Sequence, residues 1–201
     1  MTMTFSKSAD TPLTTDAGAA IEKIRIVFDW EEAKAKGFLK RTFDRGVDVD
    51  TFAVVYQGTD PIEAVRPERT IGVGGAIVHG GDVKRGAGEG VGENITFDFT
   101  QIREQDDDIA AIAVTAACKS GGFDRVEMAT AMIFDVTGAG DGPGRKLGQV
   151  RVPIQGSHTG AVIGTLKKTS EGWAWRTSGK LGQGRTWQEL GHLAVTELGR
   201  R

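Results

Sequence analysis

Apolar residues recur at every second position in several short runs, and a period of two is the spacing of a half-buried β-strand. Ile24, Ile26 and Phe28 alternate with Arg25 and Val27, and Ile95, Phe97 and Phe99 alternate with Thr96 and Asp98. Further runs at 51–56, 73–78, 109–117, 126–136, 149–154, 161–167 and 172–176 repeat the signal, separated by turn residues. Trp173 and Trp175 fall on one face of the last run. The period changes only near the end. There Thr186-Trp187-Gln188-Glu189 fits a capping box, and Leu190, Leu193, Ala194 and Leu198 continue at helical spacing. About nine short strands and one terminal helix predict an all-β chain, an antiparallel β-sandwich rather than βαβ units.

Between these runs, 58–72 reads as a polar loop containing Pro61 and Pro67, 105–108 as an acidic turn and 138–144 as a Gly-rich loop. Residues 1–20 carry weak order signals, with Phe5 and Leu13 as anchors for a short edge strand; 21–201 reads as the sandwich domain. A chain of 201 residues, 39% hydrophobic, is long enough to bury a sizeable core as one domain. A formal net charge of −2 argues against a nucleic-acid binder, which needs a basic surplus for phosphate contacts. Cys118 is the lone cysteine, so neither an internal disulfide nor a Cys-rich zinc site can form, and its apolar neighbours predict a buried thiol. The first residues lack the apolar core of a secretory signal, and no run approaches the roughly 18 apolar residues of a membrane span. The expectation is a soluble, cytoplasmic protein.

The stretch His79–Glu93 stands out from this pattern. Glycines occupy 80, 81, 86, 88, 90 and 92, with acids at Asp82, Glu89 and Glu93. Such a segment holds neither a helix nor a central strand, and reads as a folded loop between two strands. Spaced carboxylates on a bendable backbone suit calcium, which takes roughly 6–8 oxygens from carboxylates, carbonyls and water. A solvated loop without a metal is the other reading. Asp48 and Asp50, two apart at the start of a strand, point to the same side of the pleat. Lys34, Lys36, Lys40, Arg41 and Arg45 form a basic connection, either a solvated loop or a surface for an acidic partner.

Motifs for catalysis are missing. His79, His158 and His192 have no metal-ligand neighbour at i+2 or i+4, and no Gly-x-Ser-x-Gly elbow occurs. Val91 breaks a Gly-x-Gly-x-x-Gly beginning at Gly86, and Ala174 stands where a P-loop ending at Gly179-Lys180 needs glycine. The chain is therefore expected not to be an enzyme.

In order along the chain come Phe5-Ser6-Lys7, Leu13-Thr14, Trp30-Glu31, Asp48-Val49-Asp50, Gly81-Asp82, the Gly/acid run to Glu93, Phe123 and Gly172-Trp173. This order resembles the TerD family of tellurium-resistance and bacterial stress proteins, across nearly the whole chain. The resemblance implies a β-sandwich that binds calcium in acidic loops, works with other stress and tellurium-resistance proteins, and has no known catalytic reaction. It implies metal ligands at Asp48, Asp50, Asp82, Glu89 and Glu93. Several positions depart from the family pattern. Val83 replaces an asparagine, Arg85 a threonine, and Val91 and Gly92 two aspartates. Each lost aspartate removes two oxygens and one charge, and affinity follows charge count. What remains suffices for one weakened calcium site and not for two, and loss of binding is the other outcome. The alternative is a metal-free protein-interaction module on the same fold, using surfaces such as the basic 34–45 connection.

Overall fold

The computed structural model describes residues 2–7, 9–33, 46–83, 92–140 and 142–199. Twelve strands among them form two six-stranded sheets in which every paired neighbour is antiparallel. In chain order they are β1 (Thr11–Pro12), β2 (Lys23–Glu32), β3 (Val49–Gln57), β4 (Asp60–Val65), β5 (Ile71–Gly72) and β6 (Ile77–His79). There follow β7 (Glu93–Asp98), β8 (Ile109–Cys118), β9 (Val126–Asp135), β10 (Arg145–Val152), β11 (Gly160–Thr169) and β12 (Gly172–Gly182). Sheet one runs β1-β12-β11-β8-β3-β4 and sheet two β10-β9-β2-β7-β6-β5.

The sandwich and its terminal helix are as the periodicity predicts, but there are twelve strands rather than about nine. Beyond the nine runs stand β4, β5 and β1, the last being the short edge strand expected within residues 1–20. Proline explains why β4 reads as a loop: Pro61 is tolerated there because β4 is an edge strand of sheet one. Two further boundaries differ. The run from Val73 opens with a 3-10 turn, Val73–Gly75, before β6 begins. At Phe99 the alternation gives way to α1 (Phe99–Gln105), because the Asp98 carboxylate accepts the Gln101 amide at 3.0 Å and starts a helix. Phe99 then stacks on Trp173, with ring centroids 5.0 Å apart, across one end of the sandwich.

The core lies between the sheets, with Ile24, Ile26, Phe28 and Trp30 of β2 facing Val49, Ala53 and Val55 of β3 among others. A second apolar layer covers the outer side of sheet one. There α2 (Trp187–Leu198) lays Leu190 and Ala194 on Phe52, Val54, Tyr56, Ala111 and Ala113. The Tyr56 hydroxyl donates to the Gly191 carbonyl at 2.8 Å, tying helix to strand. β3 is therefore buried on both faces from Val49 to Tyr56, which is why it reads as a continuous apolar run. The helix starts at the capping box: Thr186 Oγ1 accepts the Glu189 amide, and the Glu189 carboxylate accepts the Thr186 amide. No helix among the described residues is long and apolar enough to cross a membrane.

Candidate metal centre

Three elements bring the acids together. The chain enters β3 under firm control: the Trp30 indole donates to the Val47 carbonyl at 2.9 Å, and Glu32 Oε1 accepts the Val47 amide at 2.8 Å. On the other side of β3, the Asp48 amide donates to Ser120 Oγ and the Lys119 amide to the Asp48 carbonyl, at 3.0 and 2.9 Å. These bonds fix Asp48 and Asp50 at the start of a strand in sheet one. Asp82 arrives from sheet two, in the segment that follows β6.

Carboxylate oxygens of Asp48, Asp50 and Asp82 all lie within 4.8 Å of one another. Two oxygens bound to one calcium at ~2.3–2.6 Å stand at most about 5 Å apart, so the three are within ligation reach as they stand. Asp50 is buried, Asp48 half-buried and Asp82 exposed. Burial pushes the Asp50 carboxyl from an ordinary 3.8 up to about 6. The Lys119 ammonium, 3.1 Å from Asp50 Oδ2, pulls the other way, while the charges of Glu93 and Asp48 add to the rise. The donor set is oxygen alone, which suits a hard cation, with carbonyls or water left to complete the shell.

Glu93 is close by but is not part of this group of three. It is fully buried, in phase with Ile95 and Phe97, so the period of β7 aims it at the core. Its Oε2 accepts the Thr51 amide at 2.6 Å and the Thr51 hydroxyl at 2.8 Å, and its Oε1 accepts the Val83 amide at 3.3 Å. Glu93 thus fastens β3 of sheet one to the segment carrying Asp82. His79 completes this network. The Gly81 amide donates to His79 Nδ1 at 3.0 Å, which leaves the ring proton on Nε2, facing Thr51 Oγ1 at 3.0 Å. Glu89 lies outside the described residues, as do Arg85 and Val91. Gly92 is described, and it rests against β2: a Cβ there would collide with the Phe28 carbonyl oxygen. An aspartate at 92 cannot enter without moving that backbone.

Sequence reasoning brought out Asp48, Asp50 and Asp82, and it missed four residues that build the site around them. Alternation along β6, with Ile77 and His79 buried and Val78 exposed, was the available signal for His79. Glu32 rather than Glu31 anchors the entry to β3. Thr51 and Lys119 give no local signal, because Thr51 meets Glu93 across the two sheets and Lys119 reaches Asp48 through the pairing of β3 with β8.

The TerD domain family model matches residues 1–194. The chain belongs to the TerD family. Tellurium resistance protein TerZ of Serratia marcescens is 27% identical over 176 residues, covering 86% of this chain and 86% of its own. Among solved structures, a Streptomyces coelicolor A3(2) homologue of telluride resistance protein (TerD) superposes with a TM-score of 0.63. Its identity is 17%, with 90% of this chain and 98% of that one covered. A second, a protein of unknown function, gives 0.61 at 17% identity over 83% and 91% of the two chains. At such identities the likeness is one of fold.

Proposed function

We propose that this TerD-family chain is a non-catalytic, calcium-binding stress protein that contributes to tellurium resistance, with a single weakened site at Asp48, Asp50 and Asp82. The observation that carries the reading is the convergence of three carboxylates from two sheets within 4.8 Å. Acids that repel one another gain from a shared cation, and Glu93 holds the two segments together beneath them. The relatives named for tellurium or telluride resistance support the physiological side of the reading.

Calcium that binds only the folded chain stabilises it by mass action, by about 2.7 kcal/mol at ~100 times its Kd. For a domain of this size that raises the melting temperature by roughly 5–10 °C. Melts in millimolar calcium and in chelator test it, beside Asp48→Asn and Asp82→Asn. The wild type is expected to show the rise and both variants to lose it. Equal midpoints for the wild type in calcium and chelator would remove the reading.

One observation favours a second reading, a metal-free interaction module: the Lys119 ammonium already contacts Asp50. The basic connection of Lys34, Lys36, Lys40, Arg41 and Arg45 lies outside the described residues.

A further inference from the structure

We propose that Lys119 is a tethered cation that competes with the divalent ion at this rim and sets its affinity; the inference rests on the calcium reading above. The backbone places it there. Val49 of β3 pairs with Cys118 at the end of β8, and the next amide, that of Lys119, donates to the Asp48 carbonyl at 2.9 Å. From that point the side chain passes over the ring of Phe52, its ammonium 5.7 Å from the centroid, and ends 3.1 Å from Asp50 Oδ2. It is about one-third exposed, so it is held by the protein yet free to swing.

An ion ~2.4 Å from Asp50 Oδ2 would stand at most about 5.5 Å from this ammonium. At that separation, in a partly buried site, two cations repel strongly and share one carboxylate poorly. The lysine also has somewhere to go. Glu68 Oε1 lies 3.9 Å from Nζ, on an exposed residue of the turn between β4 and β5. Loading the rim would therefore trade the Asp50 contact for a closer one with Glu68, whose other oxygen pairs with Arg66 at 3.3 Å. The lysine offsets part of the charge that three carboxylates would otherwise leave facing one another. A lysine held there would weaken the binding of a divalent ion at this rim.

Calorimetric titration of calcium chloride into the full chain tests it, with wild type, Lys119→Met and Lys119→Arg compared after melts in chelator show each to be folded. Lys119→Gln replaces the methionine variant should that one not fold. Removing the charge is expected to tighten calcium at least tenfold, whereas Lys119→Arg, which keeps it, stays within about twofold of wild type. A silent wild type beside a binding Lys119→Met also supports the proposal, since the ammonium then substitutes fully for the ion. Equal or weaker binding by Lys119→Met than by wild type overturns the proposal and leaves the calcium reading standing. Folded proteins that all fail to bind overturn both.

Discussion

Asp50 is the carboxylate most altered by its surroundings, and its titration has a sign. Its folded-state value, about 6, lies above the ordinary 3.8 of an unfolded chain. Between those values the folded protein keeps a proton that the unfolded chain has released. The contribution is therefore complete below about pH 4 and lost as pH rises through about 6, up to roughly 3 kcal/mol over the whole window. In chelator, the wild-type melting temperature is expected to fall relative to that of Asp50→Asn between pH 4 and 6. Parallel curves for the two proteins would show that Asp50 titrates as it would in water. Asp48 and Asp50 could be read from the chain because two strand residues at i and i+2 share a side whatever the fold. Glu93 could be read only halfway. Its place beside the acids is right, but the same alternation that buries Ile95 and Phe97 turns its carboxylate inward to Thr51 and Val83. Lys119 was out of reach, since only the pairing of β3 with β8 brings residue 119 to residue 48.

At the level of elements, α2 turns an ordinary sheet strand into one enclosed on both faces. Leu190 is fully buried between the helix and sheet one. Leu190→Ala is expected to destabilise the fold by about 3 kcal/mol, and the melting temperature to drop by roughly 6–12 °C. A loss below about 1 kcal/mol would mean that the helix frays independently of the sandwich. The helix itself was legible, since Thr186 and Glu189 form the capping box that their spacing predicts. What it covers was not legible, because helical spacing shows an apolar stripe without showing its partner. The strands with clean alternation were legible for the same local reason. Those missed each break the period: Pro61 in β4 and the two-residue span of β5. At α1 the alternation ran on through Phe99, which concealed a helix start that Asp98 and Gln101 encode.

Over the whole molecule, the acidic rim is a place where two separately built sheets are joined. Asp50 belongs to β3 of sheet one and Asp48 immediately precedes it, while Asp82 follows β6 of sheet two. An ion held by all three would slow the opening of both at once. Amide hydrogen exchange is expected to show calcium protecting the Asp48–Thr51 and Gly80–Val83 segments together, with α1 and the Phe99–Trp173 stack unchanged. Protection of one segment alone would mean that the ion does not bridge.

Sheet one carries a proline at each margin, Pro12 in β1 and Pro61 in β4. A second copy of the chain seeking to extend that sheet meets, on either side, a short rung lacking one amide hydrogen. Templated stacking of the amyloid kind is thereby discouraged at both borders of this sheet.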